Sequence, residues 1–294
     1  TKESTETGPL GNVPVKLVRL PQTIDLGAQI RNRSVVFADG KLKHLEQIPT
    51  ESKFGLVWRG SEWGHNDPFR EILKQARFVF MANVDDSLVD DQRIFPWTVG
   101  VALYRGFPLP HQIGLVKPTT DRPYFANWIG SLNSNPSRVT LTKVIRDNPQ
   151  LRPEIVVRVR EEWKQADSKE EAEAYLEWLM NSVYTLCPSG CNVDTYRILE
   201  AVSFGSVPII HEEDHPQNQC GRNPLRLYHD CIPKPPFVFL ESWDDLPSVF
   251  QSLRDEETIH KRQDELMAWH RVFCRTLTSR VVEQAESRLL DRLK

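Results

Sequence analysis

The sixteen residues from Leu186 to Ala201 constrain this chain more than any other stretch. A strand-like run, Val183-Tyr184-Thr185-Leu186, is broken by Pro188, Ser189 and Gly190, and a helical pattern follows over 195–204. Asp194 stands where an N-cap residue is expected, and Gly205 where a glycine past the helix end is expected. Strand end, loop and helix start in that order form the ligand-binding corner of an open α/β sheet, since ligands settle outside the carboxyl ends of its strands. The helix start offers unpaired N–H groups and a partial positive charge, which suit a diphosphate. Gly190 would let the backbone approach such a ligand closely. Arg197 and Glu200 lie three apart and share a helix face. The guanidinium can fork onto phosphate oxygens, and the carboxylate can accept two vicinal ribose hydroxyls. A surface ion pair would need the same spacing.

The rest of the chain repeats the α/β alternation. Apolar runs at 54–58 and 78–81 read as strands flanking a helix at 69–76, the unit of a parallel sheet. Strands are expected again at 124–129, 154–159, 207–210 and 237–240, with helices at 137–145, 169–181 and from Ser242 to about Leu253. From about Glu256 the pattern is one long helix, with Leu266, Trp269, Phe273, Leu277 and Val281 as its core-facing stripe. Pro108, Pro110, Pro118 and Pro123 mark a connection. The expected organisation is an amino-terminal α/β domain over 1–117, a second over 118–255, and a terminal helix over 256–294 packing back across both.

Composition excludes several alternatives. With 37 Lys and Arg against 40 Asp and Glu, the net charge is −3, so no global basic field points to nucleic acid. No run approaches the roughly 18 apolar residues of a membrane span. Cys187, Cys191, Cys220, Cys231 and Cys274 are too few and too odd in number for a disulfide scaffold. Free thiols and a single Cys220–Cys231 bridge both remain open. Asn32-Arg33-Ser34 is one usable N-glycosylation triplet, a weak pointer to the secretory pathway.

Pro188-x-Gly190, Tyr196-Arg197-x-x-Glu200-Ala201 and Gly205-Ser206-Val207-Pro208-Ile209-Ile210 together resemble the donor-site signature of the exostosin-like glycosyltransferases. Arg122-Pro123-Tyr124-Phe125, through Gly130 to Arg138, is similar to that family's strand–glycine–loop–arginine element, which faces the nucleotide sugar. A finer resemblance is to the family's ribitol-phosphate-directed xylosyltransferase branch. It rests on Thr185-Leu186-Cys187-Pro188, Phe204 to Pro208, Phe95-Pro96-Trp97, Gly100-Val101-Ala102, Tyr104-Arg105 and Phe107-Pro108, and extends over about residues 60–250. The first 50 residues match poorly and look short for an acceptor-side domain.

The resemblance implies a GT-B fold, two Rossmann-like domains with the active site in a cleft between them. It implies inverting transfer of xylose from UDP-xylose to a ribitol-phosphate-bearing O-mannosyl glycan of α-dystroglycan, a glycoprotein acceptor. It also implies a Golgi lumenal domain of a type II membrane protein, whose anchor would precede Thr1. The donor site would comprise Gly130, Arg138, Ser189, Gly190, Tyr196, Arg197 and Glu200. An inverting displacement needs a general base on the acceptor hydroxyl and a stabiliser of the leaving UDP. Arg197, helped by Arg138 and the helix start, would be the stabiliser. Glu62 and Asp67 are the first candidates for the base, with Asp85, Asp86, Asp90 and Asp91 as alternatives. The chain contains no Asp-x-Asp triplet, which fits a site where arginine and helix dipole replace a metal ion, so no cofactor is expected.

Two other readings compete. His211-Glu212-Glu213-Asp214-His215 matches the zinc-protease string, which needs both histidines on one helical face. Here the string follows a strand and runs into Pro216, whose ring disfavours a helix before it. Zinc held by these histidines with Cys220 or Cys231 is a variant of the same idea. The second reading is a nucleotide-sugar-binding protein without turnover. Trp58, Trp63, Trp97 and Trp128 could stack on sugars, or simply fill cores.

Overall fold

The computed structural model describes residues 34–38, 53–60, 70–84, 88–102, 107–108, 113–160, 168–212, 225–231 and 233–289, with the backbone of 16–19. Contacts divide the chain into two compact units. One comprises Thr1–Thr98, Gln219–Leu227 and Val272–Lys294, the other Val99–Asn218 and Tyr228–Arg271.

The first unit is built on a parallel sheet of β1 (Lys16–Arg19), β2 (Ser34–Ala38), β3 (Phe54–Trp58), β4 (Ala76–Met81) and β5 (Ile94–Pro96), in that spatial order. Helix α1 (Arg70–Gln75) joins β3 to β4. Successive strand residues point to opposite faces, so the near-continuous apolar runs of β3 and β4 mark strands covered on both sides. Val36, Leu56, Trp58, Val79 and Met81 pack with Ile72 and Leu73 of α1. Val35, Val57, Phe78 and Phe80 pack instead against Val281, Ala285 and Leu289 from the chain's last helix. Trp58 belongs to the first of these clusters, and Trp97 packs on the second, edge-on to Phe80 at 5.4 Å.

The second unit contains β6 (Tyr124–Ser131), α2 (Pro136–Asp147), β7 (Ile155–Arg160), α3 (Lys169–Asn181), β8 (Ser182–Leu186), α4 (Tyr196–Ser203) and β9 (Val207–His211). After α5 (Arg226–His229), at the division between the units, come β10 (Val238–Leu240), α6 (Leu246–Ser252) and α7 (Glu256–Arg288), whose residues from Val272 onward belong to the first unit. All five strands of its sheet are parallel, in the order β10-β9-β8-β6-β7. The chain moves outward from β6 to β7, then returns to the other side of β6 for β8 and its successors. That reversal makes β6/β8 the topological switch point, the place where open α/β sheets hold ligands.

Local chemistry sets the helix ends. Asn135 caps α2, its side chain accepting from Ser137 N at 2.8 Å, with Pro136 at the first helical position. Ser168 and Glu171 form a reciprocal capping box on α3. Helix α4 ends in a Schellman motif, in which Ser206 N bonds to Ala201 O and Gly205 N to Val202 O, with Gly205 at φ +69°. The stripe expected on α7 is buried at Leu266, Trp269, Phe273, Leu277 and Val281.

Arg122 sits at the amino ends of the strands, away from the switch point. Its guanidinium donates to the carbonyls of Lys117, Ser182 and Phe204 at 2.5–3.0 Å. Burial pulls its pKa down to about 10. Its place in the matched motif therefore reflects packing, not contact with a nucleotide sugar.

Candidate functional site

At the carboxyl ends of β6 and β8 the residues read as a donor site converge. Gly130 is the penultimate residue of β6, and Arg138 lies in the first turn of α2. Ser189 and Gly190 are buried in the loop after β8, and Tyr196, Arg197 and Glu200 lie on α4. Arg138 donates from Nε to Ser189 O at 2.8 Å and from Nη1 to Ser131 O at 3.1 Å. It thereby ties the loop after β6 to the loop after β8. Asn135, the cap of α2, reinforces the tie through Nδ2 to Gly190 O at 2.9 Å.

Arg197 reaches across from α4 to β6, where Nη2 donates to Ile129 O. Its guanidinium carbon lies 5.1 Å from the centre of the Trp128 ring, and that of Arg138 lies 5.8 Å from the same ring. Both distances fall within the range of cation–π attraction. Nε of Arg197 and Oγ1 of Thr195, the residue preceding α4, are buried without a hydrogen-bond partner. Orphaned polar atoms beside a helix start are costly unless something satisfies them.

Glycine has a physical role at two of these positions. A Cβ on Gly130 would stand 2.6 Å from the Trp128 ring, so only glycine lets the indole lie across β6. A Cβ on Gly190 would stand 3.0 Å from Nη2 of Arg138. The space at Gly190 is therefore taken by a guanidinium, where the sequence suggested close approach of the ligand to the backbone.

Two carboxylates here are buried and hydrogen-bonded within the protein. Asp194 does not cap α4: Thr195 occupies the N-cap position, and no side chain caps the helix. Its carboxylate accepts instead from Val99 N at 3.0 Å and from the Tyr228 hydroxyl at 2.9 Å. Nor is Glu200 part of a surface ion pair. It is 5 % exposed, and its oxygens accept from Ala102 N at 3.0 Å and the Tyr175 hydroxyl at 2.6 Å. Burial and the neighbouring Glu200 carboxylate raise the Tyr175 pKa, which keeps the hydroxyl protonated and donating. Cys187 is a neutral thiol, pushed up to about 12 by burial.

Trp128, Asn135 and Tyr175 belong to this cluster; the sequence suggested Trp128 only as a sugar-stacking or core residue, and did not single out Asn135 or Tyr175 as functional. Only Asn135 carried a local signal, an Asn directly before a helix-starting Pro. Trp128 is fully buried, so it cannot stack on a sugar.

Of the candidate bases, Glu62, Asp67, Asp85 and Asp86 lie outside the described residues, as do Trp63, His215 and Cys220, and with it the Cys220–Cys231 pairing. Asp90 is exposed. Asp91 is engaged by Arg93 through both oxygens, at 3.0 and 2.5 Å, and its pKa is lowered chiefly by that hydrogen bond, which makes it a weaker base. His211 is not helical. It ends β9 in register with Leu240, and Glu212 N continues to Leu240 O. Among the described residues no group of three or more His, Cys, Asp or Glu side chains could hold a metal ion.

Comparison with known proteins bears on this geometry. Residues 104–290, more than half of the chain, match the family model described as the RXYLT1 C-terminal domain. The chain belongs to the RXYLT1 C-terminal-domain family. A relative from Danio rerio, ribitol-5-phosphate xylosyltransferase 1, is 32% identical over 256 residues, covering 83% of this chain and 58% of that protein. The Homo sapiens protein of the same name is 30% identical over 262 residues, covering 84% and 57%. This member of the RXYLT1 family thus spans a little under three-fifths of the length of these relatives.

Solved structures show the fold. An α,α-trehalose-phosphate synthase (UDP-forming) from Burkholderia vietnamiensis matches with TM-score 0.51 at 10% identity, over 89% of this chain and 76% of that one. An α-glucosyltransferase in complex with UDP matches with TM-score 0.50 at 12% identity, over 85% and 80%. TarM matches with TM-score 0.52 at 8% identity, over 90% and 56%. The fold of this RXYLT1-family chain is α/β of the GT-B type, with a Rossmann-like parallel sheet in each unit.

Proposed function

We propose that this chain is the nucleotide-sugar-binding part of an inverting glycosyltransferase that moves xylose from UDP-xylose to ribitol phosphate on an O-mannosyl glycan. One observation carries the reading. Arg138 and Arg197, from two different helices, converge on Trp128 at the β6/β8 switch point beside the start of α4. Two guanidinium groups and a helix start placed together suit a diphosphate. The names of the relatives support xylose and ribitol phosphate as donor sugar and acceptor.

In this reaction a base removes the proton from the acceptor hydroxyl, and the oxygen attacks the anomeric carbon of xylose from the face opposite UDP. The bond from that carbon to the UDP oxygen breaks, and its electron pair settles on the diphosphate. Arg138 and Arg197 stabilise the negative charge that grows there, which lowers the barrier because the charge is larger in the transition state than in the bound donor. Glu62 and Asp67 are proposed as bases. The O-mannosyl glycan of α-dystroglycan, the Golgi lumen and a membrane anchor ahead of Thr1 are proposed with them.

The test is a calorimetric panel of UDP, UDP-xylose, UDP-glucuronic acid and UDP-N-acetylglucosamine on wild type and Arg197→Ala, with EDTA and with manganese. Expected are preferential binding of UDP-xylose, independence from manganese, and a 10- to 100-fold weaker Kd in the variant, about 1.4–2.8 kcal/mol. Absence of binding by every uridine nucleotide would overturn the reading. Binding without xylose transfer to a ribitol-phosphate glycan would favour a silent binding protein.

A further inference from the structure

We propose that Trp128 is a positioning residue that holds Arg138 and Arg197 together as one diphosphate clamp; this rests on the donor-site reading above. The two guanidinium carbons lie 5.8 and 5.1 Å from the centre of this one indole ring. They come from elements far apart in sequence, α2 and α4, and like charges brought together repel. Something must offset that repulsion before the diphosphate arrives. A carboxylate would do so by neutralising the charge that the ligand needs. An indole attracts each cation through its quadrupole and carries no net charge, so the positive field stays available.

The ring is itself held in place. Trp128 is fully buried, and its Nε1 donates to Thr142 Oγ1 on α2 at 3.1 Å. Gly130, two residues along the same strand face, leaves the space in which the ring lies. The backbone supplies a second set of anchors. Ser131 and Ser189 carbonyls hold Arg138, and the Ile129 carbonyl holds Arg197. Carbonyls fix two N–H groups of Arg138 and one of Arg197, while the indole is the one group both share among these contacts.

The experiment replaces Trp128 site-specifically with mono-, di- and trifluorotryptophan in the full chain. Fluorine withdraws the ring's negative face while keeping nearly the same shape, so packing is preserved. Binding of UDP is measured by calorimetry and that of uridine by ligand-observed NMR, beside the Tm of each protein. The expected result is a stepwise weakening of UDP across the series, about 3- to 10-fold in total, with uridine binding unchanged and Tm lowered by no more than about 2–4 °C. Trp128→Phe should fall within the same range. An unchanged UDP affinity along the series overturns the proposal, and so does an equal loss for UDP and uridine, which marks a merely structural ring. Failure of the wild type to bind UDP at all overturns the donor-site reading instead, so the two failures are separable.

Discussion

The Tyr175 hydroxyl donates a 2.6 Å hydrogen bond to Oε2 of Glu200, whose other oxygen accepts from Ala102 N at 3.0 Å. Helix α3, helix α4 and the segment around residue 102 are thus joined at one buried carboxylate. Tyr175→Phe removes one donor from a buried anion, at a cost of about 1.5–3 kcal/mol. Glu200→Ala leaves both donors unsatisfied, at about 1–3 kcal/mol each, and should destabilise more than Tyr175→Phe. Thermal unfolding would rank them wild type, Tyr175→Phe, Glu200→Ala. Should Tyr175→Phe leave Tm unchanged while weakening UDP, the bond serves ligand binding and not the fold.

Gly205 sits at φ +69°, and a Cβ there would stand 2.4 Å from Cγ1 of Val116. Gly205→Ala therefore meets strain and overlap together, and should cost about 1–3 kcal/mol. The damage lies at the end of α4 away from Arg197. UDP affinity of the folded variant should stay within about 2-fold of wild type, which calorimetry below the unfolding transition would check.

Asp91 accepts from Arg93 at 3.0 and 2.5 Å, and Arg93 also donates to the carbonyls of Leu73, Lys74 and Ala76. The pair thereby closes the carboxyl end of α1. The folded pKa of Asp91 is lowered from 3.8, with the Arg93 hydrogen bond as the largest cause. A lowered folded pKa means fewer bound protons in the folded state than in the unfolded one near that pH. The stabilisation is therefore present above about pH 4 and is lost as pH falls through the folded value. Asp91→Asn should lower Tm at pH 7, and the gap from wild type should shrink as the solution is taken below pH 4.

Arg122 reaches the Lys117, Ser182 and Phe204 carbonyls from a buried position. Arg122→Met keeps much of the apolar stem but orphans those acceptors, so a loss of about 2–4 kcal/mol is expected. The variant should still bind UDP when folded, because Arg122 stands at the opposite ends of the strands. Loss of binding in a folded Arg122→Met protein would contradict that placement.

What the sequence determined by itself was local. The strands at 54–58, 183–186 and 207–210, the glycine ending α4 and the buried stripe of α7 were legible because side-chain period and turn chemistry act over a few residues. The strand end, broken loop and helix start in succession around Leu186 to Tyr196 were legible for the same reason. Tertiary structure alone decided the rest. Placing β8 on the far side of β6 from β7 creates the switch point, and no window of sequence reports which edge a returning strand will join. The partners of Asp194 and Glu200 were hidden because Val99 and Ala102 stand 95 and 98 residues away. A carboxylate's role depends on which donors surround it once water is excluded, and that depends on the folded chain.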